Sequence, residues 1–164
     1  MDNGESKIIE VSMSDMKAAS NDHILRSSGI GSCIVITLYD PLKKVGALAH
    51  PMLADPPAGE AGNIGNSTEH PLRFVGNAID AMINALEKLG SVKTRLEAKV
   101  VGGASMFKVF EKNPESIGLQ NVEAVKEKLE KEGIKILAND TGGNVGRSVA
   151  FELTTGLVEV KTKI

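Results

Sequence analysis

Ile34-Val35-Ile36-Thr37-Leu38-Tyr39, then Asp40-Pro41-Leu42-Lys43-Lys44, then Val45-Gly46-Ala47-Leu48-Ala49-His50 is the stretch that decides the fold. Its first block is β-branched and apolar without strict alternation, the pattern of a strand covered on both faces. The middle block is turn-forming by composition, and the last reads as the return strand. A hairpin closed around that five-residue loop sets Tyr39 opposite Val45 and Ile34 opposite His50. Cys33 and His50 then meet at the open end of the hairpin.

Upstream, residues 7–13 alternate as a strand, and a polar stretch runs to His23. Ile24-Leu25 leads into Ser27-Ser28-Gly29-Ile30-Gly31-Ser32, where two glycines one residue apart suggest a tight turn with exposed backbone. Downstream, residues 51–68 are rich in Pro, Gly and Asn and long enough to be a lid or binding loop. A helix over 71–89 follows, with Pro71 in its first turn and Gly90 as its stop; Phe74, Ala78, Ile79, Met82, Ile83 and Leu86 make one apolar face. Residues 95–101 read as a strand ending at Gly102-Gly103, and the residues after it to Ser116 as another loop. A second helix spans 121–132 with Val122, Val125 and Leu129 inward, then a strand over 134–138 and a hairpin of 148–153 with 157–161. Two helices among about seven strands fit an α/β or α+β sandwich with a largely antiparallel sheet.

The 164 residues, 41% of them hydrophobic, suffice for one core, so a single domain over 1–164 is expected. Nineteen Lys and Arg against 21 Asp and Glu give a net charge of -2, which supplies no general attraction to nucleic acid or anionic membranes. Aromatic residues at 3%, with no Trp, make base or sugar stacking a poor fit. The acidic, polar start and the lack of a long apolar run point to a cytoplasmic protein without stable membrane insertion. The single cysteine excludes an internal disulfide and leaves Cys33 a free thiol.

Cys33 is the natural nucleophile. It follows a glycine-rich loop, so the backbone N–H groups of Ser32 and Cys33 are candidates to hold a developing oxyanion. A thiol needs a neighbouring base, and His50 is the imidazole that the hairpin brings to it. Ser27, Ser28, Thr37, Asn66 and Asp140 all have the chemistry to orient that imidazole. His23, His50, His70 and Cys33 lack the spacing of a zinc site, so no metal is expected. The glycine corners at 102–103 and 142–143 carry neither a dinucleotide fingerprint nor a P-loop, and no Arg follows Cys33 as a cysteine phosphatase requires. Arg147 reads as a surface or packing residue near a turn.

Several separated blocks resemble the chemoreceptor glutamine deamidase family, CheD: Gly29-Ile30-Gly31-Ser32-Cys33; Val45-Gly46-Ala47-Leu48-Ala49-His50-Pro51-Met52-Leu53; Leu96-Glu97-Ala98-Lys99-Val100-Val101-Gly102-Gly103-Ala104-Ser105-Met106-Phe107; Ile117-Gly118-Leu119-Gln120-Asn121; and Thr141-Gly142-Gly143-Asn144-Val145-Gly146-Arg147-Ser148. The resemblance implies a three-layered α/β sandwich with a mixed, largely antiparallel sheet and two main helices, similar to cytotoxic necrotizing factor-type deamidases. It places the family's catalytic cysteine and histidine at Cys33 and His50, and its threonine hydroxyl at Ser27, which keeps the hydroxyl and loses the methyl.

The implied activity is hydrolysis of receptor glutamine side chains to glutamate through a cysteine thioester, with no cofactor. The implied partners are the helical cytoplasmic domain of a chemoreceptor, met at the 51–68 loop, and a CheC-type chemotaxis phosphatase. Two alternatives stand beside it: a noncatalytic adaptor that binds the phosphatase or receptor, and a receptor methylesterase using the same acyl-enzyme.

Overall fold

The computed structural model describes residues 7–54, 70–105 and 116–163. Most of the expected lid, residues 55–69, and most of the second loop, residues 106–115, lie outside the described residues. The expected strands and helices are present, and the strands divide into two mixed sheets rather than one.

The five-stranded sheet has β2 (Met16–Ser20), β5 (Val45–Ala49), β4 (Ile34–Asp40), β6 (Glu97–Gly102) and β7 (Lys135–Thr141) in that order. The four-stranded sheet runs β1 (Lys7–Glu10), β3 (His23–Ile30), β8 (Gly146–Glu152) and β9 (Val158–Lys163). Pairing is antiparallel except for β1 with β3 and β6 with β7.

Every residue of β4 is buried because both faces of its sheet are covered. Ile34, Ile36 and Leu38 pack with the helices, while Val35 and Tyr39 pack with Val149, Phe151 and Leu153 beside the other sheet. The layers are therefore helices, five-stranded sheet, four-stranded sheet. Tyr39 fastens the last two: its ring meets Phe151 edge-on at 5.8 Å, and its hydroxyl donates to the Leu153 carbonyl at 2.8 Å.

Helix α1 (Val75–Lys88) buries Val75, Ala78, Ile79, Met82, Ile83 and Leu86, nearly the stripe read from the sequence. The expected first turn at Pro71 is a separate 3-10 turn, Pro71–Arg73. Helix α2 (Ile117–Lys131) starts four residues earlier than expected, where Ser116 caps it by accepting the Leu119 N–H at 3.1 Å. Its buried stripe includes Gly118 and Asn121 as well as the expected valines and Leu129.

Three further expectations need correction. The polar stretch before His23 contains β2, held by its ladder to β5 rather than by local propensity. The turn expected at Gly29 and Gly31 is confined to a bend over residues 31–33: Ser27 to Ile30 lie within β3, whose register to β8 shifts between Ser27 and Ile30, with Gly29 at φ 66. The hairpin register is also off by one, since Tyr39 faces Gly46 and Asp40 faces Val45. Asp40 is the physical reason: its carboxylate accepts the N–H groups of Leu42 and Lys43, which keeps Asp40 in the strand and shortens the loop to residues 41–44.

Candidate active site

The one-residue slip decides where His50 points. Cross-strand partners share a face of a sheet, so a slip of one reverses every side chain of the strand. In the expected register His50 would share the helix face with Ile34. In the observed one the ladder continues from Ile36–Ala49 to the bond from the Ile34 N–H to the Pro51 carbonyl at 3.1 Å, which sets His50 across from Val35. His50 thus faces the four-stranded sheet. Alternation carried back one residue from Ile34 gives Cys33 the same face, on the diagonal from His50, roughly 7–8 Å between backbones.

The backbone of His50 is held on both sides: its N–H donates to the Asp15 carbonyl at 3.1 Å, and its carbonyl accepts from the Ser14 N–H at 2.8 Å. Its ring is almost fully buried. Nδ1 lies 2.7 Å from Ser27 Oγ, and Ser27 Oγ donates its one proton to the Val11 carbonyl at 2.7 Å. The serine oxygen can therefore only accept from the imidazole, so Nδ1 carries the ring proton and Nε2 is bare. Nε2 is buried and, among the described residues, makes no hydrogen bond, to Cys33 or to any other group. Burial pushes the His50 pKa down to about 4.

Of the four candidate orienters among the described residues, Ser27 alone meets His50. Ser28 projects to the exposed side of β3. Thr37 donates to the Lys99 carbonyl, and Asp140 pairs with Arg147 at 3.2 Å. Asn66 lies outside the described residues.

Cys33 is buried, and desolvation raises its thiol pKa, while its own backbone N–H acts in the opposite direction. The resting pair is a neutral thiol and a neutral imidazole. The Cys33 carbonyl accepts from the Gly103 N–H at 2.8 Å, and the Gly31 carbonyl from the Ala104 N–H at 3.0 Å. Among the described residues no backbone carbonyl takes the N–H of Ser32 or of Cys33. A buried bare imidazole nitrogen, a thiol on the same face and an amide that no backbone carbonyl takes can together support acyl transfer.

Of the two roles read for Arg147, surface or packing, the structure has the second: it is buried, pairs with Asp140 and donates to the Gly142 carbonyl at 2.9 Å, so it fastens the glycine corner from within. Asn121 is fully buried and donates from Nδ2 to the carbonyls of Ser32 at 2.8 Å and Met52 at 2.9 Å, the segments flanking Cys33 and His50. Sequence reading missed it, although Asn121, Val125 and Leu129 recur every four residues and so share one helix face.

Among the described residues no helix is long and apolar enough to cross a membrane. The chain is 43% identical to the "Probable chemoreceptor glutamine deamidase CheD" of Clostridium kluyveri, over 96% of this chain and 94% of that protein. It is 40% identical to the "Chemoreceptor glutamine deamidase CheD" of Thermotoga maritima, over 92% of this chain and 89% of that one. Among solved structures it is similar to the Bacillus licheniformis hypothetical protein YfiH, with a TM-score of 0.45 and 14% identity, over 85% of this chain and 60% of that one. That likeness is too distant to bear on function. The model of the CheD chemotactic sensory transduction family matches residues 52–162. The chain belongs to the CheD family.

Proposed function

We propose that this protein hydrolyses the side-chain amide of selected chemoreceptor glutamines, with Cys33 as nucleophile, His50 as acid and base, and Ser27 as the residue that orients His50. The observation that carries the reading is the forced tautomer of His50: the Ser27 to Val11 hydrogen bond leaves Nε2 as a buried, unprotonated acceptor. Membership of the CheD family and the activity for which relatives matched over nearly the whole chain are named supply the substrate class.

The thiol begins without a hydrogen bond to Nε2, so the first movement is a rotation of Cys33 toward the imidazole, of the kind that substrate binding commonly completes. The thiol proton passes to Nε2 as sulfur attacks the carboxamide carbon. Negative charge gathers on the amide oxygen, where the Cys33 N–H, held by no backbone carbonyl among the described residues, receives it. The imidazolium returns its proton to the amide nitrogen, the carbon–nitrogen bond breaks, and ammonia leaves a thioester. His50 then takes a proton from water, hydroxide adds to the thioester, and the thiol departs with that proton to leave glutamate. No external oxidant or cofactor enters the balance.

Cytoplasmic residence, a CheC-type phosphatase partner and kinship in architecture with cytotoxic necrotizing factor-type deamidases belong to the same proposal. Family membership and the layering of helices on a sheet on a second sheet support them. The test is peptide mass spectrometry of a chemoreceptor cytoplasmic fragment incubated with the protein and with Cys33→Ala. A gain of about 1 Da at defined glutamines with the unsubstituted protein alone is expected, because amide nitrogen is replaced by oxygen through the acyl-enzyme. Equal gains with both, or none with either, would overturn the reading.

A further inference from the structure

An asparagine on the buried stripe of a helix is an unfavourable choice for stability. Valine or leucine would fill the space without a polar group to satisfy. Asn121 is fully buried, and its Oδ1 has no hydrogen-bond partner among the described residues. The amide is oriented by its two acceptors: both bonds end on carbonyls, so the nitrogen must face them and the oxygen is left over. What this residue supplies is two donors at one point in space.

The first of those bonds ends on the Ser32 carbonyl, the other half of the peptide unit that carries the Cys33 N–H. The peptide is planar and trans, so its carbonyl and N–H point in opposite directions. Holding the carbonyl toward α2 aims the Cys33 N–H away from α2, toward the seam where His50 and Ser27 lie. The second bond ends on Met52, two residues past His50, and ties that strand exit to the same helix.

The close approach this requires is built from glycines. A side chain at Gly118 would strike the carbonyls of Gly103 and Ala104. One at Gly103 would strike Val122 and the Gly118 carbonyl, and one at Gly102 the Cys33 carbonyl. These glycines let the start of α2 sit against the Cys33 loop, and the Asn121 amide fills the contact.

We propose that Asn121 is a positioning residue that sets the plane of the Ser32–Cys33 peptide, and through it the direction of the Cys33 N–H that receives the oxyanion. The inference rests on the hydrolase reading given above. It makes a distinction a purely structural role would not make. Attack on a carboxamide develops an oxyanion, whereas alkylation of the same thiol by iodoacetamide does not.

The experiment compares Asn121→Ala and Asn121→Asp with the unsubstituted protein, the aspartate keeping the shape and losing the donors at neutral pH. Deamidation of the receptor fragment is followed for kcat and KM, and Cys33 alkylation by iodoacetamide is timed on the same samples. Expected is a fall in kcat of about 10²-fold, the low end of losing an oxyanion donor, with KM and the alkylation rate within about threefold of the unsubstituted protein. A kcat that does not change, or an alkylation rate that falls in step with kcat, would overturn the proposal. If the unsubstituted protein makes no glutamate while its Cys33 alkylates normally, the hydrolase reading itself fails and this inference falls with it. If it makes glutamate and both variants keep pace, only the inference falls.

Discussion

Ser27 Oγ receives the Nδ1 proton of His50 while giving its own to the Val11 carbonyl, each contact 2.7 Å long. One hydroxyl thereby fixes both the tautomer and the tilt of the imidazole. Ser27→Ala removes the acceptor and leaves a buried Nδ1–H unsatisfied. The expected result is a fall in kcat of about 10–100-fold, below the range for loss of the general base itself. Ser27→Thr keeps the hydroxyl and adds a methyl that restricts its rotamer, so its kcat should equal or exceed that of the serine protein. Steady-state deamidation kinetics decide both.

His50 is held neutral by burial, with its pKa lowered from 6.5 to about 4. The pH profile of kcat/KM should therefore lose its acid limb near pH 4; a limb near 6.5 would show an exposed imidazole. The same shift acts on stability. The unfolded chain binds a proton at His50 below about 6.5 and the folded one does not until about 4, so stability falls as pH drops through that window and levels off below it. Denaturant midpoints of His50→Ala should show a weaker pH dependence there.

Asp40 runs in the other direction. Desolvation alone would raise its pKa, but the Arg95 guanidinium, the Ser91 hydroxyl at 2.6 Å and the Lys43 and Leu42 N–H groups outweigh it and hold the carboxyl at about 2. Its folded pKa lies below the unfolded one, so its contribution is complete above pH 4 and is lost as pH falls toward 2. Asp40→Asn should cost about 3 kcal/mol at pH 7, and its deficit in melting temperature should shrink across that acid window. A deficit independent of pH would mean the carboxylate charge does not contribute.

Gly103 sits at φ 68 with Val122 and the Gly118 carbonyl where a side chain would go. Gly103→Ala must strain the backbone or push α2 outward, an overpacking cost of about 1–3 kcal/mol. Activity should fall further than stability alone explains, because Asn121 moves with the helix. Urea melts and deamidation rates on one preparation separate the two effects.

The hairpin and α1 were legible because their signals are local: β-branched residues over 34–39 and a clean apolar stripe from Phe74 to Leu86. Strand β2 was not, since Met16-Lys17-Ala18-Ala19-Ser20 has no strand-forming pattern and takes its state from β5. The pairing of Cys33 with His50 was read from a register one residue out. Only the turn chemistry of Asp40 corrects it, and with the correction His50 turns to the face that the pairing needs. The residues alone did not rank Ser27 above the other candidate orienters, and only the family resemblance singled it out, because its partner Val11 is recognised only when β1 and β3 are aligned. Asn121 was the least visible, because a polar residue beside Val122 reads as the solvent side until the glycines at 103 and 118 bring the helix in.

Ser27 belongs to the four-stranded sheet, and His50 directly follows β5 of the five-stranded one. The proposed reactive centre thus straddles a seam between two slabs that, among the described residues, share no ladder. A slip of one slab over the other by a fraction of an ångström would leave each slab's hydrogen bonds intact and still part the serine from the imidazole. Catalysis is then a gauge of docking between the slabs, and on warming it should fade while the circular dichroism of the strands is still unchanged.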